Sequence, residues 1–338
     1  MKKFLAIVLS AALCLSLCAC GGSDTGSNSS SIKVGMVTDV GGINDQSFNQ
    51  LAWSGLKTLD ESNDQITAAY LESKTDADYA SNIQTFIDED YDLIICVGYM
   101  LADATRVAAE ANPDQKFAII DDSANADLAN VACLMFSQEQ ASYLVGVVAG
   151  TMTQTNVVGY VQGMVSDTMN LFGIGYIAGV QSVNPDATVL QYNANSFGDT
   201  AVGSAAATDM VTNGADVIYH AAGGTGAGVI SACHDNDVYA IGVDSDQNYI
   251  DPCHVLTSAM KRVDTAAQDI SLAVLNGTYE GGVHQYNLAN GGVDVAPTDT
   301  LLSDEAKTAV EAAKQAILDG SIVVPTTVAE CPAFTLAN

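Results

Sequence analysis

"IKVGMVTDVGGINDQSFNQLAWSGLKTLDES" spans Ile32–Ser62. It opens on a short apolar run, Ile32–Val37. It closes with apolar residues at Phe48, Leu51, Ala52, Leu56 and Leu59, the spacing of one helix face. The connection between them is crowded with hydrogen-bonding groups, including Asp39, Asn44 and Asp45, and Gly41 and Gly42 let the backbone turn sharply. This unit repeats along the chain. "QITAAYL", "DLIICVG", "KFAIID" and "NVACLMF" read as strands, while "DYASNIQTFIDE", "LADATRVAAEAN" and "QEQASYLVGVVAGTMT" read as helices. A second series runs through "NVVGYV", "ATVLQYN", "ADVIYHA", "VYAIGVD" and "HVLTSAM". Short apolar runs alternating with helices imply parallel sheets built from right-handed βαβ units. Two series of similar size predict an α/β protein of two doubly wound lobes, in keeping with roughly three hundred residues after Ser31.

The first thirty residues have a different character. Lys2 and Lys3 precede the apolar stretch "FLAIVLSAALCLSL", which is short for a membrane span and suits a signal peptide. It ends in "LCAC", Leu17–Cys20, which resembles a bacterial lipobox. The resemblance implies a signal peptide over 1–20 and a lipid on Cys20. "GGSDTGSNSSS" follows, and 21–31 reads as a flexible tether. The expected placement is extracytoplasmic, held to the cell membrane through that lipid. "YLVGVVAGTM", Tyr143–Met152, is apolar but about half the length needed to span a bilayer.

Charge narrows the partners. The chain has 11 basic and 40 acidic residues, and losing Lys2 and Lys3 leaves 9 against 40, a formal −31 for the mature chain. Nucleic acid is excluded as a partner, because phosphate binding needs cationic surface. A neutral or cationic small ligand fits better than an anion. Of eight cysteines, Cys14 and Cys18 leave with the signal and Cys20 is the lipid site. Cys96, Cys133, Cys233, Cys253 and Cys331 remain. Five is an odd number, so one thiol at least is unpaired in a monomer. Cys233 and Cys253 are the candidate pair. Both precede a histidine, in "CHD" and "PCH", but no CxxC or HxxxH spacing supports zinc, and no metal is expected.

Ligands of open parallel sheets sit beyond the carboxyl ends of the strands. In the first series those ends bring Asp39, Phe48, Asn49, Gly98, Tyr99, Asp121 and Asp122. In the second they bring Asn195, Phe197, Tyr219, Asp244, Asp246 and Lys261. Carboxylates, amides, rings and one ammonium suit recognition. GxSxG, HExxH and GxxxxGK[ST] are absent, so no catalytic residue is expected. "AGGTGAGV" follows a strand and opens a helix, the setting of a dinucleotide loop, but glycine-rich βα turns are common and no cofactor is expected.

Four motifs carry a resemblance. "VGMVTDVGGINDQSFNQLAWSGL", "GADVIYHAAGGTGAGVI", "AIGVDSDQNY" and "VLTSAMKRVD" resemble, in the same order, the basic membrane protein family of bacterial lipoproteins. Its best-known members are purine nucleoside receptors feeding ABC transporters. The resemblance implies a type I periplasmic binding protein, with two Rossmann-like lobes and a three-strand hinge. Crossings are then expected near 148–155, 255–262 and 288–292. The N-terminal lobe would comprise 32–150 plus 259–290, and the C-terminal lobe 151–258 plus 291–338.

The implied activity is capture of a nucleoside, purine first, by a monomeric receptor that delivers it to an ABC permease. Asp39, Phe48 and Asn49 would form one wall. Phe48 offers a face for stacking and Asn49 a donor and acceptor for a base edge. Tyr219 is the first choice for the opposite ring and Phe197 the second. Gly223 and Gly224 would bring backbone amides to the ligand. Asp121 and Asp244 would accept from hydroxyls, with Asp122 and Asp246 as rivals. Lys261 would pair with Asp244 or Asp39, or donate to a purine acceptor. Alternatives are a flavin or other planar or sugar-bearing ligand in the same fold, a nucleoside hydrolase, or a surface interaction protein.

Overall fold

The computed structural model describes residues 31–336, so the expectations for the leader, for Cys20 and for the tether before Ser31 lie outside the described residues. The five strands of the first series form one sheet with a sixth, Gly282–Tyr286, that the sequence reading does not include. The sheet contains β1 (Ile32–Val37), β2 (Ile66–Leu71), β3 (Leu93–Val97), β4 (Lys116–Ile120), β5 (Val131–Phe136) and β11 (Gly282–Tyr286). Their order is β11-β5-β4-β3-β1-β2, and every neighbouring pair is parallel. Helices α1 (Phe48–Ser62), α2 (Asp78–Asp88), α3 (Ala102–Ala111) and α8 (Val263–Leu275) cover it. All five residues of β3 are buried, which is why "LIICV" reads as an unbroken apolar run.

The second sheet contains β6 (Val157–Gln162), β7 (Thr188–Asn193), β8 (Val217–Ala221), β9 (Tyr239–Asp244), β10 (Val255–Lys261) and β12 (Val293–Val295). The order is β12-β10-β9-β8-β6-β7, with β12 antiparallel to β10. Its helices are α4 (Gln138–Met152), α5 (Asp167–Val183), α6 (Thr200–Thr212), α7 (Gly224–Asp235) and α9 (Asp304–Leu318). Ser303 caps α9 by accepting from Ala306 N at 3.1 Å, and Gly320 at φ 78° follows its end, as the sequence suggests.

The chain passes between the sheets three times, at Ser137, at Arg262 and over 287–292. The crossings are tied side by side. Ser137 N donates to Tyr286 O at 2.8 Å and Arg262 N to Gly292 O at 2.9 Å. The rings of Phe136 and Tyr286 stack at 5.0 Å beside them. The first crossing differs from the expected 148–155. α4 packs against α5, β10 and β12, so 138–150 belong with the second lobe. The second passage begins after β10, so 259–261 also belong there. Chain order alone puts α4 with the strands before it, but an apolar helix sides with whichever sheet covers it. Among the described residues no helix is long and apolar enough to cross a membrane.

α4 is apolar all round because β10 and β12 lie on one side and α5 on another. Glycines let the two helices meet backbone to backbone. A Cβ at Gly179 would lie 2.0 Å from Tyr143 O, and one at Gly146 would lie 2.2 Å from Tyr176 O. Neither obstacle is a movable side chain. Gly179→Ala is therefore expected to lower stability by about 1–3 kcal/mol or more. Gly198→Ala, with nothing within 4 Å, should stay within about 0.5 kcal/mol of the parent. Urea unfolding of the two variants checks the contrast, and equal midpoints would refute the close crossing.

Candidate functional site

The strand ends of the two sheets face a cleft of about 490 Å³ counted out to its mouth, where ligands of open parallel sheets sit. From the first lobe come Asp39, Asp45, Phe48, Asn49, Gly98, Tyr99 and Asp121. From the second come Met169, Phe172, Phe197, Ala221, Ala222, Gly223, Val243, Asp244 and Lys261. Eight predicted residues thus meet here: Asp39, Phe48, Asn49, Asp121, Phe197, Gly223, Asp244 and Lys261.

The β1–α1 loop is organised by two carboxylates. Asp45 closes the N-terminus of α1. Its Oδ1 accepts from Ser47 N and Gln50 N at 3.0 Å each, and its Oδ2 from Asn49 N at 2.8 Å. These are the unpaired donors of a helix start, where negative charge is also favoured. Asn49 Nδ2 donates to Asp39 Oδ1 at 2.8 Å and to Asp45 Oδ2 at 3.0 Å. Both amide protons are therefore taken, so Asn49 positions the aspartates rather than offering a free donor. Gly41 N adds a bond to Asp39 Oδ1 at 2.8 Å.

Asp121 follows β4 and Asp244 ends β9, both at positive φ, 68° and 65°. Such backbone is costly for a side-chain-bearing residue and clusters at functional sites. Lys261, 2% exposed at the end of β10, donates to Asp121 Oδ2 across the cleft. The expected partners are Asp244 or Asp39; the bond goes to Asp121 instead, while the ammonium still lowers Asp244 through space. Nζ also stands 4.8, 5.1 and 5.4 Å from the ring centres of Phe48, Phe136 and Phe172. Among the described residues, Asp121 Oδ1 is buried without a hydrogen-bond partner. Further bonds join the lobes: Ser47 Oγ to Asp244 Oδ2, and Gln247 Nε2 to Gln46 O at 2.9 Å.

Burial dominates the carboxylate electrostatics. It raises Asp39 to about 6 against the bonds from Asn49 and Gly41. It raises Asp244 to about 7, opposed by Lys261 and Ser47. Asp45 is also raised by burial, opposed by the bonds that α1 gives it.

Four candidates stand elsewhere. Tyr219 is fully buried in the second lobe, its ring 5.0 Å from Tyr176 and 5.5 Å from Tyr160, and its hydroxyl 3.1 Å from Ser142 Oγ. It is a core ring, because strand side chains alternate and this one points beneath the sheet's end. Gly224 opens α7 against Asp45, whose Cα lies 3.6 Å from where its Cβ would be. Asp246 accepts from Thr298 Oγ1 at 2.5 Å and Asn248 N at 3.2 Å. Asp122 accepts from Ala124 N at 2.9 Å. Met169 and Phe172 were missed. They lie on α5, which follows the end of β6, a strand end without charged residues to mark it. Among the described residues Cys96, Cys133, Cys233, Cys253 and Cys331 form no disulfide; Cys233 is buried and Cys253 exposed, so the candidate pair does not form.

With this geometry in hand, comparison with known proteins is specific. The family described as ABC transporter substrate-binding protein PnrA-like matches residues 32–327. The chain is 39% identical over 316 residues to the "ABC transporter nucleoside-binding protein BmpA" of Lactococcus lactis subsp. cremoris, covering 87% of this chain and 89% of the relative. It is 38% identical to the "CD4+ T-cell-stimulating antigen" of Listeria monocytogenes, covering 95% and 97%. Among solved structures it resembles an ABC transporter solute-binding protein from Aeropyrum pernix K1, with a TM-score of 0.80, 27% identity, and 88% and 94% of the chains covered. The fold is that of the type I periplasmic binding proteins.

The raised Asp244 has a measurable consequence. Below its ordinary range near 3.8 the carboxyl is protonated folded and unfolded alike. Between about 4 and 7 the unfolded chain ionises there while the folded one holds its proton, so the group increasingly disfavours the fold; above 7 the penalty is constant. Asp244→Asn has no such group. Its stability relative to the parent is expected to rise from pH 4 to pH 7 and then level off. Urea midpoints across that range check it, and a pH-independent difference would refute the perturbation.

Proposed function

The chain belongs to the PnrA-like family of ABC transporter substrate-binding proteins, and from that membership we propose that it captures a nucleoside, purine first, and delivers it to an ABC permease. Proteins of this family bind and deliver solutes and are not enzymes. In this reading the receptor works outside the cytoplasm, monomeric and anchored through a lipid on Cys20.

One observation carries the ligand class. The cleft pairs apolar walls with an excess of acceptors. Phe48, Phe172, Phe197 and Met169 supply the walls. Asp39, Asp121 and Asp244 supply carboxylates, and among the described residues Asp121 Oδ1 is buried without a hydrogen-bond partner. A partner rich in donors and carrying a flat face answers both needs. A nucleoside does so with ribose hydroxyls and a stacked base. A nucleotide adds negative charge to a lining of four carboxyl groups and one lysine, where burial already disfavours the ionised acids. The name of the Lactococcus relative points the same way.

Capture then works by closure. Lys261–Asp121, Ser47–Asp244 and Gln247–Gln46 each join the two lobes. In an open form these bonds are lost, and a ligand that touches both walls biases the equilibrium toward closure. The three tied crossings give the motion its hinge.

Calorimetric titration of the chain from Ser31, unfolded and refolded to strip carried-over ligand, tests the reading. Purine nucleosides should bind, and free hypoxanthine and ribose far more weakly. Phe48→Ala should weaken binding by about 1–3 kcal/mol, the range for a lost stacking contact. Asp121→Asn should cost about 1.5–3 kcal/mol, as for a charge-assisted bond. Silence toward every nucleoside alongside binding of riboflavin or ribose would replace the assignment.

A further inference from the structure

Away from the cleft, the second lobe brings together His234, Asp251 and His254. His234 lies in the last turn of α7, while Asp251 and His254 lie in the turn that leads into β10. The Nδ1 atoms of both imidazoles face one oxygen, Asp251 Oδ2, at 2.9 and 2.8 Å. The other carboxylate oxygen accepts from Cys253 N at 3.1 Å, which fixes the group's orientation. The imidazoles lie edge to face, with centres 4.8 Å apart. One ligand atom from each residue lies within 4.8 Å of the others.

We infer that these three residues form a binding site for a divalent transition metal ion of the zinc type. Nδ1 of His234, Nδ1 of His254 and Oδ2 of Asp251 are its ligands, and water completes the four-coordinate shell. Three arguments support the assignment. Two imidazole nitrogens and one carboxylate oxygen suit zinc, whereas magnesium and calcium take oxygen sets. The site lies at the C-terminal end of a twelve-residue helix, where the backbone dipole favours a cation. Asp237 Oδ1 stands 3.5 Å from His254 Nε2, the nitrogen left over when Nδ1 binds metal. Asp237 is fully exposed and makes no hydrogen bond to this nitrogen, but its negative charge beside the ring favours a cation on the other nitrogen. The ion would pin the end of α7 to the turn before β10, the strand that carries Lys261 at its far end. Positions 234, 251 and 254 match no familiar metal spacing, so the site is visible only in the folded lobe.

Zinc chloride is titrated calorimetrically into metal-stripped, tag-free chain from Ser31. A Cys253→Ser background removes the exposed thiol as a competing ligand. One zinc per chain is expected, with magnesium silent at the same concentration. His234→Ala alters a side chain that is 62% exposed, so the fold should survive it, and it should weaken zinc binding at least tenfold. Asp251→Asn, near in shape, should do the same. Melting of each variant without metal reports folding separately, and Co²⁺ substitution should give a four-coordinate visible spectrum in the parent chain alone. Absence of zinc binding by the parent chain, or undiminished binding by folded His234→Ala, would overturn the site and leave a hydrogen-bonded His–Asp–His clasp.

Discussion

The buried ion pair between Lys261 and Asp121 is the constraint on which the cleft is built. An ammonium taken out of water costs several kcal/mol unless it is compensated. Here the compensation comes from both lobes at once. The carboxylate belongs to the first, the lysine to the second, and the rings of Phe48, Phe136 and Phe172 surround the cation. Lys261 also stands where β10 leaves the second sheet for α8. A separation of the lobes therefore exposes the charge and breaks the pair in one motion. The same ion tempers Asp244, although burial outweighs it there.

Around that pair the hydrogen bonds divide into two kinds. Those of Asp45 and Asn49 are complete within the first lobe and fix the start of α1. Those of Asp121 and Asp244 are shared across the cleft, and one Asp121 oxygen is left with capacity. The first kind makes a rigid wall. The second makes a wall whose bonds hold only while the two lobes are together. This separation gives Asn49 a supporting role although it sits beside Phe48. Rigid support for a few converging polar groups is what a small-ligand site requires.

Much of this was legible beforehand. Strand and helix periods are local properties, so the alternation of "DLIICVG" with "LADATRVAAEAN" exposed both sheets. The strand-end rule then placed Asp39, Phe48, Asp121, Asp244 and Lys261 in one cleft. It failed where side-chain direction mattered. Tyr219 lies at the right height in β8 but points into the core with Tyr160 and Tyr176. Asp122 and Asp246 sit beside the right residues, yet each satisfies a turn of its own.

The chain's pattern alone determined the two α/β lobes, the acidic balance, the absence of catalytic motifs and most of the cleft's membership. Each follows from composition or from a periodicity shorter than one element. Tertiary structure decided the rest: that α4 sides with the second sheet, that Lys261 takes Asp121, that Cys233 and Cys253 stay apart, and that His234 meets His254. These depend on which distant surfaces pack, and a one-residue change of face, invisible in composition, is enough to redirect a side chain from ligand to core.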